Sequence, residues 1–490
     1  MPGSLVPVKL DRRFRVAVIG GGIAGLAAST VLIERGAEVV LIERDGYLGG
    51  RAGSWPDALA DGTAFEMERG FHAFFRQYYN LRALLRRVDP SLSMLVPAGD
   101  YPILGPAGEV QSFRDLPRKT PWNLAALTWR SPHLGWRDLV AIDKRAALEM
   151  LAFDGEQTYA KWDETTARAY LDGLRFPAAA RRMLFDVFSH SFFNPEGAMS
   201  AGELLMMFHF YFVGNPEGLV FDLCRQPFSR AFFRPLGAYL SARGAELRLG
   251  CSATSIARRS AGFRVETSAA PIDADAVVLA TTVAGLSALA AASPDLAGAL
   301  GAGTDSLAVT HPYAVLRLWL DRPARPERAP FAGTTGIGVL DNITLYDRYE
   351  EDSRAWAARR GGAVVELHAY AVEPTLSHHA IRTDLLAGLH AFYPETKGAQ
   401  ILEERFLVAA DCPAFAPGSH YARPGVASSD PRVALCGDFV KLPFPSALME
   451  RAAASGFMAA SHLLAPLGAA AEPIQTVPIR GLLARTRRAV

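Results

Sequence analysis

The chain has 490 residues, of which 50% are hydrophobic and 21% are charged, and this balance excludes a disordered chain, a fibrous chain and a small disulfide-stapled domain. Lysine and arginine (51) nearly match aspartate and glutamate (50), so the formal net charge of +1 gives no global field to attract nucleic acid. We therefore expect no nucleic-acid partner.

The first regular elements predict a βαβ unit. Residues 16–19 are an apolar run typical of a buried strand, residues 23–35 have helical spacing, and residues 38–42 form a second apolar run. Residues 1–13, which are polar and contain proline and glycine, are interpreted as a loose arm.

The turn between this strand and this helix carries a nucleotide-binding fingerprint. Gly20, Gly22 and Gly25 form a GxGxxG pattern, and Glu43 ends the second strand about 20 residues further on. In such a unit the second glycine lets the backbone approach a pyrophosphate at the positive end of the helix dipole. Glu43 would accept hydrogen bonds from a ribose diol, so the unit predicts a dinucleotide site rather than a structural turn.

Strand-like runs recur later in the chain, and those at residues 314–320 and 363–368 are assigned to an insertion rather than to the nucleotide-binding unit. Further strand-like runs, in chain order, are residues 244–249, 262–267, 276–280, 314–320, 363–368 and 433–436. The last of them leads into a long alanine-rich helix from about residue 446 to 464. Because these pieces are separated by long segments, we expect an α/β fold with a discontinuous Rossmann-like nucleotide-binding domain and an inserted mixed α+β substrate domain.

The expected domain boundaries follow from this pattern. The three parts of the nucleotide-binding domain are predicted at residues 14–85, 236–290 and 426–470, with a mainly helical substrate or membrane-facing insertion at 86–235, a second part of the substrate domain at 291–425 and a basic tail at 471–490.

A second glycine turn identifies the dinucleotide. Gly49, Gly50 and Arg51 follow soon after Arg44, which places two guanidinium groups just past the ribose site. Here the sequence resembles the FAD-containing amine oxidase and carotenoid desaturase superfamily, whose signature is this βαβ fingerprint followed by a GGR turn. The segment 436–456 is similar to that family's second flavin segment. Residues 240–248, followed by 253–256, are similar to its adenine-binding segment, and residues 274–280 are similar to its returning strand.

The resemblance implies FAD as the cofactor. It puts Asp438 at the ribityl or phosphate part and the backbone near Met449 at the isoalloxazine, where a helix N-terminus can stabilise negative charge. The expected cofactor-binding residues are Gly20, Gly22, Ile23, Ala24, Gly25, Glu43, Arg44, Gly49, Gly50, Arg51, Gly70, Phe71, Ala253, Gly437, Asp438, Ala447, Leu448 and Met449.

A block in the first insertion narrows the resemblance. Residues 68–82, which read ERGFHAFFRQYYNLR, are similar to a block of the carotenoid φ-ring synthases of the isorenieratene synthase type, and residues 100–102 continue the likeness. This resemblance implies an FAD-dependent oxidoreductase, a desaturase and methyltransferase of carotenoid biosynthesis. It would convert β-ionone rings to aromatic φ-rings by desaturation with 1,2-methyl migration.

Three other interpretations stay open at this point. The chain could be a desaturase of an acyclic carotene, or another FAD oxidase of the amine or protoporphyrinogen type. It could also be a flavin-binding scaffold without turnover. The apolar, aromatic-rich insertion argues against small polar amines.

His72 is the leading catalytic candidate. It follows Gly70 and Phe71, so it could face flavin or substrate as a base or hydrogen-bond donor, with a structural histidine as the alternative. The neighbours Glu68 and Arg69 could form a structural pair near the cofactor. Residues 450–451, Glu-Arg, are expected in an intrahelical or interdomain pair.

One stretch is richer in large apolar side chains than a thin insertion needs. It contains Phe185, Phe188, Phe192, Phe193, Met206, Met207, Phe208, Phe210, Tyr211 and Phe212. Ordinary core packing and a lining for a long apolar substrate, or for a membrane-dipping entrance, are the two interpretations. His190 and His209 within this stretch are expected to be hydrogen-bonded core histidines.

The remaining composition bears on location. Four scattered cysteines form no CxxC pair, so we expect neither disulfides nor a zinc site, no metal elsewhere, and a reducing cytoplasm. Nothing is typical of a signal peptide or a spanning helix. A carotenoid substrate would imply peripheral contact with the inner face of the cell membrane. The electron acceptor stays open, since a quinone, oxygen or another carrier would need only access to reduced flavin. Arg480, Arg485, Arg487 and Arg488 belong either to a frayed tail or to such a contact.

Overall fold

The structure is a computed structural model, and it describes residue 10 and residues 13–130 and 142–484. The strands, in chain order, are β1 (Arg15–Ile19), β2 (Glu38–Ile42), β3 (Ser54–Ala58), β4 (Ala64–Glu68), β5 (Phe74–Phe75), β6 (Leu95–Pro97), β7 (Ile103–Leu104), β8 (Val110–Gln111), β9 (Phe221–Cys224), β10 (Glu246–Arg248), β11 (Ala253–Arg259), β12 (Gly262–Thr267), β13 (Ile272–Ala274), β14 (Ala276–Leu279), β15 (Tyr313–Leu320), β16 (Phe331–Thr334), β17 (Asn342–Leu345), β18 (Ala363–Ala369), β19 (Ile401–Ala409) and β20 (Val433–Leu435).

Helices connect and cover these strands. They are α1 (Ile23–Glu34), α2 (Tyr79–Leu85), α3 (Trp122–Arg130), α4 (Lys144–Leu151), α5 (Gly155–Trp162), α6 (Ala167–Gly173), α7 (Ala178–Arg181), α8 (Val187–His190), α9 (Ala201–Phe208), α10 (Arg234–Ser241), α11 (Val283–Ala291), α12 (Pro294–Leu300), α13 (Glu351–Arg360), α14 (His378–Phe392) and α15 (Leu448–Leu464).

A five-stranded parallel sheet forms the first layer. Its order is β10-β2-β1-β14-β20, and the paired strands come from three separated parts of the chain. Strands β1, β14 and β20 are almost wholly buried, as expected for parallel strands that are covered on both faces. The fold is therefore α/β, with a discontinuous Rossmann-like domain.

Helices α1 and α15 pack closely on this sheet. A Cβ at Gly456 would overlap the carbonyl oxygen of Ala24, so glycine at this position of α15 is what permits the contact with α1. The two helices carry the glycine fingerprint and the carboxy-terminal motif, and their packing brings together residues more than 400 positions apart.

A seven-stranded mixed sheet forms the second layer. Its order is β19-β15-β18-β17-β16-β7-β8, and β16 pairs with β7 in parallel while the other pairs are antiparallel. Helix α14 covers one face and buries Leu385 and Leu389 against it. Because side chains alternate along a strand, the other positions of β15 and β18 point to the opposite face.

Three smaller sheets complete the structure. They are the antiparallel group β11-β12-β13, the pair β3-β4, and the group β5-β9-β6. The segment 86–235 carries helices, as expected, and also β6 to β9, of which β7 and β8 extend the seven-stranded sheet. The expected domain boundaries stay predictions.

The strand predictions agree with the structure within one or two residues. The largest difference is β10, which spans Glu246–Arg248 instead of residues 244–249, because Gly244 and Gly250 take positive φ angles in the flanking turns. The predicted loose arm and the last residues of the predicted tail lie outside the described residues. No helix in the described part of the chain is long and apolar enough to cross a membrane.

Candidate active site

One cavity of about 670 Å³ lies where the two layers meet. The ends of β1, β2 and β14 and the turn after β20 line one side, which is where open parallel sheets bind ligands. Residues of β15 and β18 line the other side. The cavity is lined by His72 and by all of the expected cofactor-binding residues except Gly25, Gly70 and Ala447.

The three fingerprint glycines have different roles. A Cβ at Gly25 would overlap the Gly20 carbonyl oxygen, and Gly20 itself has φ +108° against the Ala280 carbonyl, so both are required by the fold. Gly22 has φ −71°, and the nearest atom to a Cβ there is the Gly50 Cα at 4.0 Å. Nothing in the protein requires glycine at this position, and the open space fits a pyrophosphate against the start of α1.

Glu43 is held firmly at the end of β2. Its Oε2 accepts a hydrogen bond from the Gly21 amide at 2.6 Å, and its Oε1 accepts one from the Asp45 amide at 2.8 Å. Burial raises the pKa of the Glu43 carboxyl above its ordinary value. The carboxyl group lines the cavity in the position that a ribose diol would use.

The two expected guanidinium groups behave differently. Arg51 donates from Nη2 to Asp438 Oδ1 at 2.6 Å, so the GGR turn and the carboxy-terminal motif are joined inside the cavity wall. Arg44 also lines the cavity, but its side chain is 73% exposed and lies 3.6 Å from Asp45. The expectation of two guanidinium groups directed inward therefore holds best for Arg51.

The start of α15 has no side-chain cap. Ala447 occupies the N-cap position, and Leu448, which follows it, has φ +48°. Leu448 and Met449 line the cavity. The free amide groups of this first turn, together with the helix dipole, make this wall suited to an electron-rich ring.

These observations test the fit of FAD. Open space at Gly22, a fixed carboxyl group at Glu43 and uncapped amides at Leu448 lie along the same cavity wall. Ala253 and its neighbours, residues 251–254, line the same wall. The residues present fit a dinucleotide that extends from β2 to the start of α15.

His72 lines the cavity from the segment that joins β4 to β5. Its Nδ1 donates to the Gly70 carbonyl oxygen at 2.8 Å, since a carbonyl only accepts, and its ring meets Phe228 edge to face. Burial lowers the pKa of His72 to about 4. The imidazole is therefore neutral at pH 7, with Nε2 as an acceptor.

The expected pair of Glu68 with Arg69 is wrong. Glu68 Oε1 accepts from the Phe228 amide at 2.9 Å and its Oε2 lies 3.4 Å from Arg317 Nη2, while Arg69 pairs with Asp411 at 2.5 Å. Glu68 is the last residue of β4 and Arg69 begins the bend that follows, so the two side chains reach different partners. Burial raises the pKa of Glu68 to about 8.

Glu450 and Arg451 do not pair with each other within the helix, but Arg451 pairs with Glu203 of the segment 86–235, which agrees with the interdomain alternative. Glu450 accepts from the Asn80 and Leu81 amides at 2.9 Å each and so caps α2, and burial raises its pKa to about 8. Arg451 instead donates to Glu203 Oε1 at 2.5 Å. Burial alone would raise the pKa of Glu203, but the two arginines at its carboxylate, Arg423 and Arg451, lower it to about 2.

The far end of the cavity is mostly aromatic. Its aromatic lining residues are Phe71, Phe75, Tyr78, Tyr101, Phe192, Phe193, Tyr211, Phe212, Phe221, Tyr313, Phe331, Tyr370 and Phe415. Four members of the aromatic-rich stretch line the cavity, while others, such as Met207 and Phe210, are buried in the core as ordinary packing predicts. The Phe188 side chain lies outside the described part.

The two histidines in this stretch have partners. His209 is buried and its Nε2 donates to the Pro478 carbonyl at 2.7 Å, while His190 is part-exposed and lies 2.8 Å from Asp341. All four cysteines are buried and unpaired. Among the residues that the structure describes, no group of three or more His, Cys, Asp or Glu side chains could hold a metal ion.

Sequence reasoning missed a polar group in the wall formed by β18. Glu366, His368 and Tyr370 alternate along this strand and its end, and His368 and Tyr370 line the cavity. The run AVVELHAY does carry a signal, since its polar residues recur every second position within an otherwise apolar strand. Arg317 on β15, which pairs with Glu366, lies within residues 314–320, and the sequence pattern of that run predicts only a strand.

Comparisons with known proteins agree with this site. The family of flavin-containing amine oxidoreductases matches residues 23–464. A carotenoid phi-ring synthase from Streptomyces griseus is 46% identical over 96% of this chain and 92% of its own, and one from Chlorobaculum tepidum is 27% identical over 97% and 92%. A putrescine oxidase variant of known structure superposes with a TM-score of 0.66 at 16% identity, covering 93% of this chain and all of the other.

Proposed function

The chain belongs to the family of flavin-containing amine oxidoreductases and is an FAD-dependent oxidoreductase, and from that premise we propose that it converts carotenoid β-ionone rings to aromatic φ-rings. The reaction removes four hydrogens from each ring and moves one methyl group to the neighbouring carbon. It makes the protein an enzyme of carotenoid biosynthesis.

The observation that carries the proposal is the continuity of one cavity. The cofactor wall, with Gly22 and Glu43, opens directly into the aromatic end, where Phe221 and Phe331 meet edge to face. A rigid, apolar polyene fits a lining of this kind, and one end of it would then stop beside the flavin ring. The phi-ring synthases that cover almost the whole chain support the same substrate.

The chain's own residues would bind, orient and protect the ring. Bound flavin supplies a hydride acceptor. Phe71 stacks obliquely on Phe331 at 4.6 Å between centroids and continues the apolar wall, which keeps water from a ring that becomes electron-poor during oxidation. His72, neutral and with Nε2 available, is the proposed hydrogen-bond acceptor or base at the boundary between cofactor and substrate.

The cofactor-binding roles of the residues given above are part of this proposal. Gly22 and Gly50 would leave room for the pyrophosphate, Glu43 would bind the ribose, and Asp438 with Arg51 would hold the ribityl or phosphate part. The amides at the start of α15, near Met449, would face the isoalloxazine.

We also propose a peripheral membrane contact, because carotenes dissolve in bilayers. Helix α3 exposes Trp122 (67%) and Trp129 (91%), which lie seven residues apart and so on one face. Tryptophan is enriched at membrane interfaces. A cytoplasmic protein on the inner face of the cell membrane, re-oxidised by a quinone or oxygen, would fit this surface.

A sedimentation experiment tests the contact. The Trp122→Ser, Trp129→Ser double variant should sediment less with anionic phospholipid vesicles than the parent protein, while its flavin content stays the same. Equal sedimentation of the two proteins would remove α3 from the proposal.

Product analysis tests the reaction itself. The chain is expressed in a bacterial host that accumulates β-carotene, and the extracted pigments are examined by mass spectrometry and proton NMR. A pigment lighter by four hydrogens per ring, with a trimethylated aromatic ring, is expected. Unchanged β-carotene with flavin bound to the purified protein would contradict the ring assignment and favour an acyclic carotene as substrate.

A further inference from the structure

The oxidation of a ring needs a destination for protons as well as for hydride. In each two-electron step one ring C–H bond breaks with its electron pair, which leaves as hydride to the flavin. A second C–H bond then breaks, its electron pair becomes the new ring double bond, and a proton must leave. The apolar lining of the substrate end offers few groups that can take this proton.

We infer that Tyr370 and His368, held by Glu366, form the relay that accepts the ring proton; this inference rests on the proposed function. Tyr370 and His368 line the cavity, and Glu366 lies behind them, fully buried on the same strand. None of the three was needed to explain flavin binding.

The hydrogen bonds fix the direction of the relay. His368 Nε2 lies 2.7 Å from Glu366 Oε1, and a carboxylate only accepts, so the imidazole proton is on Nε2. Nδ1 is then the acceptor, and it lies 2.8 Å from the Tyr370 hydroxyl, which donates to it. The Phe71 N–H also lies 3.2 Å from this Nε2 and would donate to it in the other tautomer. The shorter contact with the ionised Glu366 carboxylate decides for a proton on Nε2.

The Tyr370 oxygen keeps one position free for substrate. Asn342 Nδ2 donates to this oxygen at 2.9 Å and so uses one lone pair, while the hydroxyl proton is directed to His368. A phenol oxygen has two lone pairs, and the second is open to the cavity that Tyr370 lines. Phe193, whose ring meets Tyr370 edge to face at 4.7 Å, holds the phenol in place.

The step balances in atoms and charge. The ring C–H bond breaks and its proton forms a bond to the Tyr370 oxygen, while the original hydroxyl proton passes to His368 Nδ1. Tyr370 is neutral again, and the imidazolium that results is paired with the Glu366 carboxylate. Glu366 is itself held by Arg317 Nε at 2.7 Å, so Glu366 is a positioning residue and stays ionised throughout.

His72 is less suited to hold this proton. Its Nδ1 donates to the neutral Gly70 carbonyl, so no carboxylate contacts its ring in the manner of Glu366. Burial without an ionised partner disfavours an imidazolium, in agreement with its low pKa. In this proposal His72 orients the ring while the relay removes the proton.

Tyr370→Phe tests the relay with the least disturbance, because only a hydroxyl group is removed. The rate of aromatic-ring formation at saturating carotene should fall by about 100-fold, the scale of a lost proton-transfer group, while carotene affinity stays unchanged. The parent enzyme should also react more slowly in D₂O, since an exchangeable proton moves in the same step, and the variant should lose this solvent effect. Tyr170→Phe is the matched control, because Tyr170 is a buried tyrosine outside the cavity whose hydroxyl donates to the Ala146 carbonyl at 2.8 Å.

Two results would overturn the relay. One is a Tyr370→Phe enzyme with the parent's rate and solvent effect, and the other is an equal loss of rate and carotene affinity, which would mean that Tyr370 only packs against the substrate. A parent enzyme that converts no β-carotene would instead overturn the proposed function and the relay with it.

The position of the proton on His368 can be tested without turnover. In protein with ¹⁵N-labelled histidine, one imidazole should show a proton on Nε2 and a hydrogen-bonded Nδ1, and Tyr370→Phe should shift that Nδ1 resonance alone. A proton on Nδ1 of that ring would contradict the direction of the relay. A double variant with His368→Asn should lose no more rate than Tyr370→Phe alone, because residues that act as a unit are not additive.

Discussion

The two ends of the cavity are built in different ways. The cofactor end is made of backbone and small residues from short local motifs, such as the turns at Gly22 and Gly50. The aromatic end is made of large side chains that come from distant elements, such as Phe71, Phe221 and Phe331. The first end recognises a constant ligand through amides and open space, whereas the second selects a substrate through shape. Substitutions at the first end should therefore impair flavin binding, and substitutions at the second should impair substrate binding.

Two buried carboxyl groups outside the cavity lining, Glu203 and Glu68, give the largest expected effects on stability. Glu203 has a pKa of about 2, below its ordinary value of 4.5, so it stabilises the fold above about pH 4.5 and loses this contribution as the pH falls towards 2. Glu203→Gln breaks the pairs with Arg423 and Arg451 and should cost about 3 kcal/mol of unfolding free energy at pH 7.

The pKa of Glu68 is shifted in the opposite direction from that of Glu203, so Glu68 serves as the comparison. Its pKa of about 8 lies above the ordinary value of 4.5, so the fold loses stability as the pH rises from about 4.5 to about 8. Glu68→Gln should therefore gain stability relative to the parent across this window, by about 2 kcal/mol or more. Chemical denaturation at pH 5 and pH 8 measures both variants, and parallel pH dependences of Glu68→Gln and the parent would contradict this account.

The cofactor end should fail by losing flavin. Gly22→Val places a side chain in the open space beside Gly50, so the protein should fold while its affinity for FAD falls by about 100-fold, or about 2.7 kcal/mol. Gly298→Val is the control, since Gly298 also has open space around it but lies in α12, outside the cavity lining. Titration of the apoproteins with FAD measures both, and undiminished binding by Gly22→Val would show that the pyrophosphate lies elsewhere.

A substitution at the boundary between the two ends should lower the reaction rate. His72→Gln keeps a hydrogen-bonding group but removes the imidazole, so we expect ring conversion to slow by about tenfold with FAD bound as before. Pigment analysis over a time course measures the rate, and circular dichroism checks the fold. Full turnover by His72→Gln would make His72 a structural histidine.

A substitution at the aromatic end should weaken substrate binding, and this is the smallest of the expected effects. Phe331→Ala removes a ring that contacts Phe71 and Phe221, which should raise the KM for carotene by about fivefold, or about 1 kcal/mol, and leave kcat nearly unchanged. Phe263→Ala, in the separate sheet formed by β11, β12 and β13, is a control for general loss of aromatic packing. A larger fall in kcat than in affinity would place the reacting ring, rather than the polyene, at Phe331.

The same difference explains what the sequence could predict. The βαβ unit, the GGR turn and the motif at Asp438 depend on contacts within a few residues, and their spacing was sufficient to find them. The cradle at Gly22 also follows from the fingerprint, whereas the pairing of Arg51 with Asp438, 387 positions apart in the chain, was found only in the structure.

The rest depends on pairs that only tertiary packing creates. Glu68 and Arg69 are neighbours in sequence, yet they contact Arg317 and Asp411, which lie about 250 and 340 residues further on. The residues Glu366, His368 and Tyr370 resemble an ordinary strand until β18 is paired with β15 and turned towards the cavity. Side-chain chemistry at the substrate end therefore needed the structure.

The most direct test of the account is the reaction of β-carotene with an excess of purified holoenzyme in the absence of oxygen, where two enzyme molecules can act in turn on each ring. Aromatisation of one ring takes two hydrides, so the account predicts that two flavins are reduced for each φ-ring formed, with the flavin absorbance and the extracted pigment measured in the same samples. Flavin that stays oxidised in the presence of β-carotene, or that is reduced only by acyclic carotenes, would contradict it.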